Sequence, residues 1–203
     1  MSTTEYKTLI QNALTSVHRC PICAVLDDLE FDRLSKLQYE VLHQEQLRLE
    51  IAAKGGFCAF HFRRFRKLAT AKTNALLLLA ILGNTATRLP LMPGDECPLC
   101  SENSVNEQGL INTYRQSLHD APFREACDKS FGLCQLHFRR IVEGLEDRKL
   151  AESIVSLWQR QNSSLLHLLH TMATVRYFES SGEERASIPG AVERLVGRKT
   201  LGL

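Results

Sequence analysis

Cys20 and Cys23 stand three residues apart around a proline, and Cys97 and Cys100 repeat the arrangement. About 35 residues after each pair comes a cysteine with a histidine three further on: Cys58 with His61, and Cys134 with His137. Three thiolates and one imidazole closed into a tetrahedron form a standard structural zinc set. Two cysteines at this spacing can both reach one ion while the turn between them points backbone N–H groups at the sulfurs. The proline restricts that turn and lowers the entropy lost on binding. A cysteine and histidine opening a helix place both ligands on one side of its first turn, where the positive helix end favours thiolate. The ligand sets expected are Cys20, Cys23, Cys58 and His61 in the first half, and Cys97, Cys100, Cys134 and His137 in the second. Pairing within a half is preferred because it closes the shorter loops, though an exchange between halves would give the same stoichiometry. The cofactor expected is zinc, two ions. An iron–sulfur cluster is the alternative, since histidine can replace cysteine on iron, and a thiol redox pair is the remaining reading of each CxxC.

Other chemistry-bearing residues have plainer explanations. Cys127 is left over, has no repeat partner, and is expected to be a partly buried structural thiol. His18 lies near Cys20 but aligns with Asp95 in the second half. Glu40-x-x-His43 resembles half of a helical di-iron site, which needs a second such motif and more carboxylates. His167 and His170 fall away from the apolar stripe of their helix. Phe60 to Lys67 interleaves Arg63, Arg64, Arg66 and Lys67 with aromatic residues, a composition able to hold phosphates and stack on bases. On a helix, however, Phe62 and Phe65 would face the core and the cations would face water.

These motifs sit in a duplicated chain. CPIC at 20–23 recurs as CPLC at 97–100, and GFCAFHFRRF at 56–65 recurs as GLCQLHFRRI at 132–141, with six of ten positions identical. Such self-similarity marks an internal repeat. The intervening segments read as helices, so the fold class expected is all-α, one Cys3His site per half. Leu34, Leu37 and Val41 share a face, and no proline interrupts 24–54, which predicts one long helix stopped by Gly55-Gly56. A second helix carries His61. A third, around Thr73 to Leu82, is nearly all apolar and expected to be buried. In the second half, 108–119 is helical, Asp120-Ala-Pro122 restarts a short helix, and a long helix follows over 147–177. Its stripe is Leu150, Ile154, Leu157, Trp158, Leu165, Leu168, Leu169 and Met172. The expected divisions are 1–88, the first repeat; 89–178, the second, entered through the Leu89–Gly94 connector; and 179–203, a polar loop and short helix with Pro189 near its first turn.

Bulk composition agrees with a protein of this kind. The 203 residues are 44% hydrophobic and 24% charged, enough for one ordinary domain or two small halves. The net charge of +2 gives no general attraction for nucleic acid, and six thiolates with two dications bring it to about zero. The N-terminal stretch has no basic region followed by an apolar one, so no signal peptide is expected. The apolar run from Ala75 to Leu82 is well under the ~20 residues of a membrane helix. A cytoplasmic location is expected, where seven cysteines favour metal ligands over a disulfide framework.

At the CPxC and GxCxxH motifs the chain resembles a bacterial and archaeal family known only as a domain of unknown function, whose members carry this pair of motifs in each half. The resemblance extends to Leu37–Val41 with Tyr39 and Glu40, to Phe123-Arg-Glu-Ala126 before Gly132-Leu-Cys134, and to the terminal Val192–Gly197. It implies a helical metal-binding protein and no particular reaction. With no nucleophile triad, phosphate loop or carboxylate pair in sight, the expected function is a non-enzymatic interaction module, binding protein in preference to nucleic acid.

Overall fold

Ten helices make up the described part of the chain, residues 1–16, 19–85, 97–174 and 180–197 of a computed structural model, and there is no strand among the described residues. They are α1 (Thr3–Ser16), α2 (Pro21–His43), α3 (Glu45–Ala53), α4 (Ala59–Leu68), α5 (Ala71–Thr85), α6 (Pro98–Ser117), α7 (Ala121–Lys129), α8 (Gln135–Glu143), α9 (Arg148–Thr174) and α10 (Gly182–Val196). The duplication is visible in this order. A long helix, a nine-residue helix, a CxxH helix and a final helix occur as α2–α5 and again as α6–α9. His18 and the 89–94 connector lie outside the described residues.

Several helices depart from the sequence expectations. The long first helix is two, broken at Gln44, whose backbone is extended (φ −113°, ψ 103°). Arg48 Nη1 takes the carbonyl of Val41 at 2.8 Å, which satisfies an acceptor the break leaves open. The apolar α5 is not buried all round: Leu77 is fully buried, but Leu79 and Leu82 are 68% and 63% exposed. It packs chiefly on α3, which leaves the far side of the helix open. The segment expected as a polar loop instead begins α10. Ser181 accepts from the Glu184 N–H at 3.1 Å while Glu184 accepts from the Ser181 N–H, a reciprocal cap that starts the helix before Pro189.

Two compact units result. One comprises residues 1–25 and 107–203, the other 26–106, with the divisions inside α2 and α6. In the first, α1 packs on α7, and α10 on α8 and α9. Its interior includes Ile10, Ile22, Leu110, Ile111, Leu118, Phe123 and Ile141. Leu150 and Ile154 bury the start of the α9 stripe, while His167 and His170 are exposed. In the second unit, Leu34, Leu37, Val41, Ile51, Phe57, Phe65 and Leu77 form the core, with Phe62 packed at its edge. No described helix is long and apolar enough to cross a membrane.

Candidate metal centres

All four Cys/Cys and Cys/His pairs open helices. Cys20 and Cys97 precede helices that begin with proline, and their carbonyls accept from the N–H groups of Ala24 (3.0 Å) and Ser101 (3.1 Å). Cys58 and Cys134 are the N-caps of α4 and α8, with extended backbones (ψ 161° and 162°). Each pair therefore occupies the N-cap and third position of its helix. Proline at the first position loses no helical hydrogen bond. The positive dipole end of each helix, at which these residues stand, favours thiolate. Before each CxxH the chain turns through a left-handed glycine, Gly56 (φ 88°) or Gly132 (φ 86°). A Cβ at Gly132 would also lie 2.6 Å from Arg194 Nη1, so this turn requires glycine.

The eight candidates form two groups: Cys20, Cys23, Cys134 and His137, and Cys58, His61, Cys97 and Cys100. Within each group one ligand atom per residue lies within 4.8 Å of every other. In the first, His137 Nδ1 is 3.4 Å from Cys20 Sγ, 3.4 Å from Cys23 Sγ and 3.2 Å from Cys134 Sγ. In the second, His61 Nδ1 is 3.2 Å from Cys58, 3.4 Å from Cys97 and 3.3 Å from Cys100. All seven cysteines are free thiols.

The ligand pairing expected within each repeat is thus corrected: each CPxC joins the CxxH of the other repeat. Each compact unit still holds one complete set. Each CxxH meets the long helix of its own repeat further along than the cysteines: His61 faces Glu30 on α2, seven residues beyond Cys23 or about 10 Å of helix, and His137 faces Glu107 at the matching place on α6. Spanning 111 residues from Cys23 to Cys134 instead of about 35 costs only about 1 kcal/mol of additional loop entropy.

A second layer of residues, missed by the sequence reading, holds the histidines. His137 Nε2 faces Glu107 Oε1 at 3.0 Å, and Arg140 Nη1 meets the other oxygen of Glu107 at 2.8 Å. Likewise His61 Nε2 lies 3.4 Å from Glu30 Oε2, and Arg64 Nη1 is 2.9 Å from Glu30 Oε1. Asn103 donates to Glu30 at 2.7 Å. A carboxylate on Nε2 fixes the tautomer and aims Nδ1 at the sulfurs. Glu30 and Glu107 each stand ten residues after the first cysteine of a CPxC, and Arg64 and Arg140 three after a histidine. The repeat itself was the available signal. Each long helix accordingly gives cysteines to one group and a glutamate to the other.

The groups titrate as interacting sets. Burial disfavours a charged His137, but the Cys20 and Cys134 sulfurs and Glu107 outweigh it and hold its pKa well above the ordinary value. Glu107 is lowered, first by its hydrogen bond with His137. Hydrogen bonds from Cys20 and Cys23 lower the Cys134 pKa, while contacts with Cys134 and Cys20 raise that of Cys23. In the other set, burial raises the Cys97 pKa, yet hydrogen bonds from His61 and from backbone bring it down to about 6. Burial and Cys58 push Cys100 up to about 12. Metal binding requires thiolate and neutral imidazole, so an ion entering either set would displace the protons these groups share.

The two sets differ in exposure. All four residues of the Cys20 set are buried, whereas Cys58 is half-buried and Cys100 exposed. Of the remaining candidates, Cys127 is buried, with its sulfur 3.1 Å from the Tyr114 hydroxyl, and burial raises its pKa to about 11. Glu40 pairs with Arg33 at 2.8 Å and joins neither group. Arg63, Arg66 and Lys67 are exposed, while Arg64 is held by Glu30 and stacks over Phe60. Comparison with models of protein families, with curated proteins and with solved structures finds no match.

Proposed function

We propose that the protein is a zinc-stabilised helical module, without catalytic activity, that binds another protein. The observation carrying this reading is the convergence of eight side chains into two compact Cys3His sets. With Zn–S near 2.3 Å and Zn–N near 2.0–2.1 Å, tetrahedral edges are about 3.8 Å between sulfurs and about 3.6 Å from sulfur to nitrogen. Cys58 and Cys100 are 3.6 Å apart, Cys23 and Cys134 3.8 Å, each sulfur is 3.2–3.4 Å from its Nδ1, and no two ligand atoms of a set are more than 4.8 Å apart. Each set is therefore the size of one ion's coordination shell. That compactness weighs against an iron–sulfur cluster, whose ligands are divided among separate irons. Four protein ligands per ion leave no coordination position for water, which argues against a hydrolytic zinc site. The chemistry the ions supply is structural: they tie helix N-termini together. The resemblance to the uncharacterised helical family is part of the same reading, and free thiols throughout suit a reducing, cytoplasmic compartment.

A protein partner is favoured over nucleic acid because the basic segment loses cations to its neighbours. Arg64 and Arg140 serve glutamates behind the histidines, and Arg139 pairs with Glu143. Exposed apolar side chains, such as Leu79 and Leu82 on α5 and Leu195 on α10, are of the kind that protein partners cover. Elemental analysis of colourless protein purified without chelator should give two zinc per chain. One equivalent or fewer in folded protein, or visible absorption with iron and sulfide, overturns the zinc reading. Tight nucleic-acid binding that falls steeply with salt would overturn the choice of partner.

A further inference from the structure

The two metal sets are built alike and differ in access. The Cys20–Cys23–Cys134–His137 set is buried throughout, and the end of α10 lies against it. Gly197 turns there with φ 59°, and a Cβ on it would be 2.9 Å from Cys134 Sγ and 3.2 Å from Cys23 Sγ. Arg194, one turn earlier, donates to the carbonyls of Leu133 and Phe131 and stacks 4.5 Å over the Phe131 ring. In the other set, Cys97 and His61 are buried, but Cys100 is exposed and Cys58 half-exposed. The Sγ atoms of Cys58 and Cys100, the two accessible ligands, are 3.6 Å apart.

We propose that Cys58 and Cys100 form a peroxide-sensitive pair whose oxidation to a disulfide releases the metal of this set, while the Cys20 set keeps its own. This rests on the two-zinc reading above. Susceptibility of thiolates to oxidation follows exposure and thiolate character. A metal-bound sulfur has the second already, so exposure separates the sets. The chemistry balances with hydrogen peroxide as oxidant. The accessible Cys100 thiolate attacks one peroxide oxygen, the O–O bond breaks, and hydroxide leaves Cys100 as a sulfenic acid. The Cys58 thiolate then attacks the Cys100 sulfur, forming the S–S bond and displacing a second hydroxide. The two sulfurs together lose two electrons, the peroxide gains them, and two protons from solvent convert both hydroxides to water. The zinc ion, left with Cys97 and His61, departs. From 3.6 Å the sulfurs need approach by only about 1.5 Å to reach disulfide distance.

The test uses the full chain, zinc-loaded and counted beforehand, titrated with hydrogen peroxide. A colorimetric chelator follows the metal, and differential alkylation with peptide mapping follows the thiols. The expected result is release of one of the two equivalents at least tenfold faster than the other, with a Cys58–Cys100 disulfide and with Cys20, Cys23 and Cys134 reduced. A thiol reductant with added zinc should restore the second equivalent. Cys100→His, which keeps a zinc ligand but removes the thiol, should slow the fast release at least tenfold. Simultaneous loss of both ions, a first disulfide within the Cys20 set or between Cys97 and Cys100, or unchanged fast release from Cys100→His overturns the proposal. If that variant fails to load its second ion, the disulfide map of the parent chain decides. A chain holding fewer than two zinc ions before peroxide is added refutes the two-zinc reading as well. Two ions present and lost together refutes this inference alone.

Discussion

Which ligands share an ion can be read from a double-substitution experiment. Cys20 and Cys134 surround the same His137 Nδ1, at 3.4 and 3.2 Å, while Cys58 surrounds His61 Nδ1, at 3.2 Å. A structural zinc site contributes roughly 10–16 kcal/mol of apparent binding, comparable to or above the ~5–15 kcal/mol stability of an ordinary domain. Loss of one site should therefore weaken the protein severely, and loss of both should unfold it. Cys20→Ser, Cys58→Ser and Cys134→Ser would each be dialysed against increasing chelator, until each single variant retains one zinc. At that stringency Cys20→Ser/Cys134→Ser should still hold one zinc, because both changes strike one site. Cys20→Ser/Cys58→Ser should hold none. The same pattern should hold in stability: the first pair is strongly non-additive, as for residues in one network, and the second close to additive. Retention of one zinc by Cys20→Ser/Cys58→Ser, together with its loss from Cys20→Ser/Cys134→Ser, would refute the exchanged pairing and restore pairing within each repeat.

Three further outcomes follow from neighbouring contacts. Glu107→Gln keeps a group opposite His137 Nε2 but loses the carboxylate held by Arg140. It should weaken zinc in the Cys134 set about 10–100-fold, leaving the Cys58 set unchanged in a chelator titration. Cys127→Ser should cost on the order of 1 kcal/mol, with two zinc ions retained, whereas Cys134→Ser should lose one. Equal melting shifts for the two would contradict their separate roles. Phe65→Ala, at a fully buried position, should cost about 3–5 kcal/mol in denaturant unfolding, and Phe62→Ala less, because Phe62 lies at the core's edge.

Most of the site was legible because metal ligation is written in local spacing. The CPxC and CxxH motifs each occupy one helical turn, so four residues of sequence carry the geometry. Their partnership across the chain is not local, and loop-closure entropy, which grows only with the logarithm of length, is a weak guide to it. Glu30 and Glu107 were hidden for a different reason. An acid on a helix face has no local signature, and only the repeat register links each to a distant histidine. The spacing of Ser181-x-x-Glu184 permits reciprocal capping hydrogen bonds, but the polar composition around it is equally that of a loop. The break at Gln44 has no comparable signal, since neither glycine nor proline stands there and Arg48 satisfies the freed carbonyl from the following helix.

The exchange of ligands gives the duplication a physical role. A single repeat contains a CPxC and a CxxH, chemically a complete Cys3His set, but its two pairs join different groups. The second copy supplies the missing partner to each. Because α2 carries Cys23 and Glu30, and α6 carries Cys100 and Glu107, each copy contributes to both sets through one continuous helix. The unit built from residues 26–106 closes its set within a continuous stretch, whereas the other must join residues 1–25 to 107–203. Cys20 and Cys23 meeting Cys134 and His137 is the bond that joins those distant segments. Burial follows the same division: the set that joins the discontinuous unit is enclosed, and the set of the continuous unit reaches solvent at Cys100.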